Sequence, residues 1–447
     1  MIRNRHTGEP NSFYIGTSIL IVVFFFVLST GLYAQEMQFQ RERDAFALSA
    51  KQLFDKEGNP FLKVTVSVPY KKLVFFKRNG RFEAGYRVVV ELEDKRGNHI
   101  YGDVWEKEVV VDDFRTSTSS RLHSSITRKI PAKPGENILL VTLDVIGTSR
   151  RLSVKREITI LSGSKKGLGI SSPVFFAPVN GDPPPRGKIV IINIADETDE
   201  FRYELVSRAT YTGLNQWVRA EYSIVAPTLS RGDTLFFYAS VKDSKGKLLL
   251  YARKSIVING SGYRHIAVEL DSRNMPLGMY SISAVVATEA NRLRSNAEGT
   301  FTVVLNRALF SRYYHQLIEI VSAIANDRDV ERFRNAPDSL AGRLEVWEKF
   351  WRKRDPTPST EANENYTEFI ERLVFVVRHF SINRPGWETD RGRIYLANGH
   401  PDRIAERQGT TLGLYYMYWY YYSLGVVYIF EDSMGNGDYK LIATRML

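Results

Sequence analysis

Hydrophobic and polar residues alternate along the chain from about residue 45 to about residue 165. The alternating runs are separated by turn residues, such as the charged segment 94–98. A period of two, interrupted by turn residues at intervals of about eight to twelve positions, is typical of an antiparallel β-sandwich. The predicted strands are residues 61–68, 85–92, 99–104, 105–111, 138–145 and 154–160.

A second alternating region follows and repeats the order of strands and turns seen in the first. The matching segments are 86–98 with 234–247, 134–141 with 277–284, and 156–161 with 299–305. Two interpretations are open, namely duplication of one unit and convergence between short strands of similar composition. The segment between the two regions contains three consecutive prolines at 183–185, which cannot lie inside a sheet, so it is predicted to be an extended linker.

After residue 305 the apolar residues change to helical spacing. The segments 310–325, 339–352 and 365–380 each repeat apolar residues every three or four positions, which predicts three amphipathic helices. The predicted fold class is therefore mostly β with a C-terminal α+β module. The predicted organisation is a signal peptide or anchor at 1–34, an Ig-like sandwich at 35–165, a proline-rich linker at 166–187, a second Ig-like sandwich at 188–305, and the helix-rich module at 306–447.

The first residues of the chain have the layout of a secretory signal. Arg3 and Arg5 precede an apolar run at 15–28, which small residues follow up to Ala34. The run is shorter than the roughly 20 residues that span a bilayer, so cleavage after Ala34 is predicted, with an uncleaved anchor as the alternative. We therefore expect an exported protein in the periplasm or at the cell surface. The chain has no cysteine, which excludes disulfides, thiolate metal sites, a cysteine nucleophile and a lipid-bearing cysteine.

The net charge of +11 indicates which partners the chain attracts. Anionic lipid head groups, acidic polysaccharide and acidic proteins are all candidates, so peripheral membrane association stays open. The alternative is that the excess charge only keeps the protein in solution. No nucleic-acid-binding module is recognisable, and nucleic acid is not an expected partner.

The segment 386–395, with the sequence GWETDRGRIY, carries the densest group of polar residues and is expected to lead directly into an apolar strand. Gly386 after Pro385 suits a tight turn, and Trp387 would pack beside it. Asp390 is expected to pair with Arg391 or Arg393. Two interpretations follow, a rigid structural corner and a site in which the arginines bind a carboxylate, phosphate or acidic sugar.

An aromatic run at 415–422 has the pattern of a strand. Alternation places Trp419 on one face and Tyr416, Tyr418, Tyr420 and Tyr422 on the other. One face is expected to be core. The other, if exposed, would be a stacking platform for sugar rings or a protein-binding patch. The alternative is a strand buried on both faces.

Candidate catalytic groups in this module are Asp355, Asp390, Asp402 and His400. Paired carboxylates can hydrolyse glycosides or bind a divalent cation. However, the sequence contains no HExxH, GxSxG or EF-hand spacing. We therefore predict no catalytic residue, metal or cofactor. The oxygen-rich segment 432–438 is expected to be a hairpin turn joining residues 426–430 to 439–442.

Residues 345–442 resemble the GWxTD domain of bacterial envelope proteins. The resemblance is carried by WRKRDPTP at 351–358, the aromatic helix at 369–380, the segment 386–395, the GHPD turn at 399–402, and the later aromatic and Gly-Asp-Tyr segments. It implies a bacterial envelope location but no reaction, since none is established for the family. His400 and Arg403 depart from the proline and acidic residue expected there.

From these observations we expect an exported envelope protein that binds or scaffolds, recognising an envelope protein or cell-wall glycan through its C-terminal module. The candidate ligand-binding residues are Trp387, Asp390, Arg391, Arg393, Asp355, His400 and Trp419. The alternative function is a glycan- or peptide-acting hydrolase that uses the aspartates and histidine of the module. A purely structural module that caps the preceding sandwich is a third possibility.

Overall fold

The computed structural model describes residues 46–54, 59–119, 122–161, 167–178, 185–194, 203–205, 209–258, 262–289, 292–358, 363–382, 384–409 and 414–447. The predicted signal segment 1–34 lies outside these ranges. About half of the described residues are in β-strands, and the longer helices are all C-terminal, which confirms the predicted fold class. No helix among the described residues combines the length and the apolar character that a membrane crossing requires.

The first unit consists of two sheets around one core. One sheet has the order β1-β2-β6, and the other has the order β3-β4-β7-β8 with β5 paired to β4. Inward residues of both sheets, such as Val64 and Val88, are fully buried between them. Residues 99–104 and 105–111, predicted as separate strands, form the single strand β5. The elements are β1 (Ala47–Phe54), β2 (Pro60–Pro69), β3 (Phe76–Arg78), β4 (Arg81–Asp94), β5 (His99–Val111), α1 (Phe114–Ser117), β6 (His123–Pro131), β7 (Gly135–Val145) and β8 (Arg151–Ile160).

The second unit is also built from two sheets around one core. One sheet has the order β11-β17-β14-β10-β12 with β9 on β14, and the other has the order β13-β19-β18-β15-β16. Strands β9 and β10 fall inside the predicted linker. The elements are β9 (Gly169–Ile170), β10 (Val174–Pro178), β11 (Ile189–Ile194), β12 (Tyr203–Leu205), β13 (Thr210–Tyr211), β14 (Val218–Val225), β15 (Thr234–Asp243), β16 (Leu248–Val257), β17 (Tyr263–Leu270), β18 (Gly278–Thr288) and β19 (Arg294–Val303).

The two units share a strand order. The series β5-β4-β7-β8 corresponds to β16-β15-β18-β19, and β1-β2-β6 corresponds to β10-β14-β17. The turns after β4 and β15 also match in detail. Asp94 Oδ1 accepts from the backbone N–H of Arg96 and Asn98, and Asp243 Oδ1 accepts from the two equivalent N–H groups. Glycines with φ near +80°, Gly97 and Gly246, complete both turns.

A buried polar network joins the first unit to the second. The Lys51 ammonium of β1 lies 2.7 Å from the Glu221 carboxylate of β14. On the same face of β14, Arg219 is paired with Glu221 at 2.8 Å and with Glu269 of β17 at 2.6 Å. The Arg219 side chain is only 2% exposed, so these charges are stabilised by each other rather than by water.

The C-terminal unit packs its helices on one face of an antiparallel sheet with the order β20-β21-β22-β23. Its core contains aromatic residues from both layers, including Phe375, Phe380 and Trp419. The elements are α2 (Arg307–Phe310), α3 (Tyr314–Ser322), α4 (Asp327–Arg334), α5 (Leu340–Arg352), α6 (Glu364–His379), α7 (Asp390–Asn398), β20 (Arg403–Gln408), β21 (Tyr415–Tyr421), β22 (Val426–Asp432) and β23 (Lys440–Met446).

This C-terminal core extends into the second unit. Leu277, Val304 and Leu305 are buried in the same cluster as the helices. The Asn306 amide donates to the carbonyls of Ser272 at 2.8 Å and Met275 at 2.7 Å, and its side-chain oxygen caps α2. The helix-rich unit is therefore attached to the second sandwich by shared packing and by buried hydrogen bonds.

A fragment of residues 306–447 alone is expected to be much less stable than the same residues in the full chain. Separation removes Leu277, Val304 and Leu305 from the core and exposes the apolar surface they cover, and burial of each such side chain is worth about 1.5–3 kcal/mol. Limited proteolysis and dye binding to exposed apolar surface would measure the difference. A fragment of residues 167–447, which keeps those contacts, is the control. Equal protease resistance of the two fragments would contradict the shared core.

Candidate functional site

The segment 386–395 folds as a tight corner that leads into a helix. Residues Gly386–Glu388 form a 3₁₀ turn, and α7 begins directly after it. Thr389 is the N-cap of α7, since its hydroxyl oxygen accepts from Gly392 N–H at 3.0 Å and its hydroxyl donates to the Gly386 carbonyl at 2.7 Å. The prediction of a strand directly after this segment is wrong, because the threonine cap starts a helix there.

Two glycines allow this corner to pack closely. A Cβ atom on Gly386 would lie 2.1 Å from the Val376 carbonyl oxygen of α6. A Cβ atom on Gly392 would lie 1.8 Å from the Gly386 carbonyl oxygen. Both neighbours are backbone atoms, so neither can move aside like the end of a flexible side chain. The two glycines are required for the contact between α6, the 3₁₀ turn and α7.

Trp387 and Asp390 both connect the corner to the rest of the unit. The Trp387 ring is buried in the C-terminal core and presents no open face to solvent. The Asp390 carboxylate accepts a hydrogen bond from Leu441 N–H of β23 at 2.8 Å. Asp390 therefore fastens the start of α7 to the last strand of the sheet.

The two arginines of the segment have different environments. Arg391 is buried, donates to the Gly437 carbonyl at 2.6 Å, and lies 4.5 Å from the ring centre of Tyr439 and 5.0 Å from that of Phe380. Arg393 is exposed on α7. Among the described residues neither arginine forms an ion pair with Asp390. The predicted ion pair is wrong, because Asp390 and Arg391 both bind the backbone of the β22–β23 hairpin instead.

The loop at 432–438 is the hairpin turn that the sequence predicted. The buried Asp432 carboxylate accepts from three backbone N–H groups, those of Met434, Asn436 and Gly437, at 2.6–3.3 Å. Asp438 pairs with Arg384 at 3.3 Å and with Lys440 at 3.1 Å. Burial acts to raise the pKa of Asp438, but these two cations outweigh it and hold the pKa below its usual range. The loop oxygens are thus used to order the turn.

The remaining acidic and imidazole candidates are held at different places. Asp355 accepts from Thr357 N–H at 2.9 Å, and Asp402 accepts from Tyr422 N–H at 2.7 Å. His400 Nδ1 donates to the Pro401 carbonyl at 2.5 Å. No hydrogen bond of the described residues joins two of the groups Asp355, Asp390, Asp402 and His400. In the same residues no cluster of three or more acidic, histidine or cysteine side chains could hold a metal ion.

The aromatic strand β21 has one buried face and one face that is partly open. Met417, Trp419 and Tyr421 point into the core, and the Trp419 indole N–H donates to Met417 Sδ at 3.1 Å. Trp419 is fully buried and offers no surface to a ligand. On the other face Tyr416, Tyr418 and Tyr420 are half-buried, and Tyr422 just beyond the strand is 56% exposed. The sequence left two alternatives for this face, exposed or buried. The observed face lies between them, since it is neither core nor fully exposed.

The arginines of β20 lie beside these tyrosines. Arg403 is the cross-strand partner of Tyr420, and Arg407 is that of Tyr416. The guanidinium of Arg403 lies 5.6 Å from the ring centre of Tyr420, and that of Arg407 lies 5.7 Å from the ring centre of Tyr418. Arg403 and Arg407 are not among the ligand-binding residues that the sequence predicted. Alternation within 403–408 could have placed them on one face, but only the strand register shows that this face is shared with the tyrosines.

Asp390→Ala is expected to loosen β23. The substitution removes the acceptor of the Leu441 N–H group, and loss of such a charge-assisted hydrogen bond costs about 1.5–3 kcal/mol. Amide hydrogen exchange across residues 440–446 should therefore become faster, while exchange in the first unit stays unchanged. Arg393→Ala on the same helix is the matched control. Unchanged protection of β23 in Asp390→Ala would show that the hydrogen bond is not needed.

Comparison with known proteins agrees with the resemblance seen in the sequence. Residues 290–445 match the GWxTD domain. No curated protein sequence matches the chain significantly. Among solved structures, the chain is similar to dimeric latent PorU from Porphyromonas gingivalis, at 11% identity and a TM-score of 0.25, over 59% of this chain and 20% of that chain. It is also similar to β-glucuronidase 2 from Bacteroides uniformis bound to cyclophellitol-6-carboxylate aziridine, at 9% identity and a TM-score of 0.20, over 55% of this chain and 26% of that chain.

The match to the family begins ahead of β19, the strand that pairs with β18 in the second unit. It continues through all the helices α2–α7 and through the sheet β20–β23. This range agrees with the shared core that joins the second sandwich to the helices. Residues 290–445 are therefore identified as a GWxTD domain, as the motifs of the sequence indicated.

Proposed function

We propose that this protein is an exported cell-envelope protein that binds or scaffolds, and that its GWxTD domain recognises an envelope protein or a cell-wall glycan. Support for export comes from the basic, apolar and small residues in sequence at the N-terminus. Because the chain has no cysteine, its covalent structure is the same in an oxidising and in a reducing compartment. The net charge of +11 favours an anionic partner.

The observation that carries the proposal is that the two faces of the β20–β23 sheet differ. One face makes the contacts that stabilise the domain, and the other is partly open to solvent. On the inner side, Thr389, Asp390 and Arg391 of the segment 386–395 make hydrogen bonds that stabilise the domain. On the outer side, partly open tyrosines lie beside exposed arginines. Tyrosine and arginine are enriched where proteins bind partners. Binding at this outer side leaves the fold-defining corner undisturbed.

We further propose that the two sandwiches are tandem repeats of one Ig-like unit and act as spacers. The matched strand orders and the matched Asp94 and Asp243 turns support a common origin. The network of Lys51, Arg219 and Glu221 would keep the two units in a fixed relative orientation. A rigid spacer would hold the GWxTD domain at a constant distance from the N-terminus.

Cell fractionation of the full chain tests the export part of the proposal. We expect the protein in the envelope or periplasmic fraction, with a mature N-terminus at Gln35, and a variant lacking residues 1–34 in the cytoplasm. Crosslinking of the exported protein in intact cells should then connect the GWxTD domain to an envelope protein or to wall glycan. Retention of the intact chain in the cytoplasm would contradict the proposal, as would crosslinks confined to cytoplasmic proteins.

A further inference from the structure

The outer face of the β20–β23 sheet combines aromatic rings with unpaired positive charge. We call this surface the tyrosine face and define it by Tyr416, Tyr418, Tyr420 and Tyr422. Alternate residues of a strand are about 7 Å apart, so Tyr416, Tyr418 and Tyr420 form a regular row along β21. The ring of Tyr422, just beyond the strand, lies 6.3 Å from that of Tyr420. Val427 and Ile429, the cross-strand partners of Tyr420 and Tyr418, lie beside the row and are buried. The helices pack against the opposite face of this sheet, where Trp419 is buried.

The positive charges on this face are not neutralised by carboxylates. Arg403 and Arg407 of β20 and Arg445 of β23 are exposed. Among the described residues none of these three arginines forms an ion pair. Arg403 lies over the ring of Tyr420, and Arg407 lies over the ring of Tyr418. Three guanidinium groups are therefore available to an anionic ligand.

The acidic groups near this face are already engaged. Glu431 accepts a hydrogen bond from the Tyr416 hydroxyl, and burial together with this neighbour raises the pKa of Tyr416. The Asp402 carboxylate accepts from the Tyr422 N–H group. With three free arginines against these two carboxylates, and with both carboxylates engaged by tyrosine groups, the face favours a negatively charged partner.

We infer, on the basis of the proposed function, that the tyrosine face binds an acidic polysaccharide whose sugars carry carboxylates. Tyrosine presents a flat apolar ring face to the C–H face of a sugar, and its hydroxyl can hydrogen-bond sugar hydroxyls at the ring edge. Arginine binds a carboxylate with two parallel N–H···O bonds. A row of rings flanked by guanidinium groups matches a linear chain in which sugar faces and carboxylates recur.

Binding of the full-length protein to polygalacturonate, measured by affinity electrophoresis, tests this inference. We expect retardation that weakens with added salt, because exposed charges are screened, and no retardation by neutral dextran. Arg403→Gln combined with Arg407→Gln should weaken binding by about tenfold or more. Arg294→Gln, which changes an exposed arginine of β19, should leave binding unchanged.

A second pair of variants tests the ring stacking separately from charge. Tyr422→Ala should weaken binding by about five- to tenfold, a loss of the size expected for one aromatic contact. Tyr251→Ala on β16 is the matched control, because Tyr251 has the same 56% exposure in another unit. Equal effects of the two tyrosine variants would overturn the inference.

Three further outcomes would also overturn it. They are equal retardation by dextran and polygalacturonate, unchanged binding in the double arginine variant, and tighter competition by single-stranded oligothymidylate than by polygalacturonate. The proposed function would survive each of these if the exported protein still crosslinks to an envelope protein. Failure of export, by contrast, would contradict the proposed function whatever the polysaccharide result.

Discussion

Gly392→Ala is expected to unfold the C-terminal domain, and Gly386→Ala is expected to have nearly the same effect. The new methyl group would lie 1.8 Å from the Gly386 carbonyl oxygen in the first variant and 2.1 Å from the Val376 carbonyl oxygen in the second. Overpacking of a core typically costs about 1–3 kcal/mol when side chains can adjust. Here the obstacle is backbone, so α7 must move away from the 3₁₀ turn in the first variant and the turn must move away from α6 in the second. We expect a loss of about 3 kcal/mol or more.

Because the chain contains several units, a single unfolding midpoint would mix their transitions. Hydrogen exchange in α6 and α7 and protease resistance of residues 306–447 are therefore better measurements of this effect. The control is Arg393→Ala, an exposed position on the same helix, which should change stability by no more than about 0.5 kcal/mol. Native-like protection of α6 in Gly392→Ala would show that the corner can open without disturbing the domain.

The sequence predicts the units of this chain more fully than the structure of this corner. The alternation of residues 45–305 and the helical spacing after 305 were enough to predict a mostly β chain with a helix-rich C-terminal unit. Residues 394–397, however, form a short apolar run without a clear period, and such a run does not distinguish a strand from a helix. The hydroxyl of Thr389 decides the outcome, because it caps the first turn of α7.

The partners of the polar residues were harder to predict than the elements themselves. Asp390 and Arg391 are neighbours of opposite charge, yet they do not pair with each other. Asp390 binds Leu441 and Arg391 binds Gly437, both about fifty positions later in the chain. Such contacts depend on how β23 packs against α7, and no local pattern records that packing. The same holds for Arg403 and Tyr420, which meet only because of the register between β20 and β21.

Arg219→Met is expected to destabilise the junction between the two sandwiches by about 3–5 kcal/mol. The Arg219 guanidinium lies between two buried carboxylates, 2.8 Å from Glu221 and 2.6 Å from Glu269. Methionine fills much of the same volume but leaves both carboxylates buried without that charge between them. Lys51, which reaches Glu221 from the first unit, stays in place in this variant.

The pH dependence of this junction follows from Glu221. Burial acts to raise its pKa, but Lys51 and Arg219 outweigh burial and lower the pKa below its ordinary value of 4.5. A carboxylate with a lowered folded pKa contributes stability above the unfolded pKa, and that contribution is lost as pH falls through the folded pKa. The wild-type junction should therefore be stable at neutral pH and weaken below about pH 4.5.

Arg219→Met should reduce this acid-dependent loss, because the substitution removes one of the two cations that lower the pKa of Glu221, while Lys51 remains. Hydrogen exchange in β1 and β14, followed from pH 7 to pH 3, would measure both the loss at neutral pH and its dependence on acid. Arg294→Met, an exposed arginine in the same unit, is the control and should behave as the wild type does. If Arg219→Met were as stable as the control at pH 7, the two sandwiches would be held together by apolar packing and not by the buried charges.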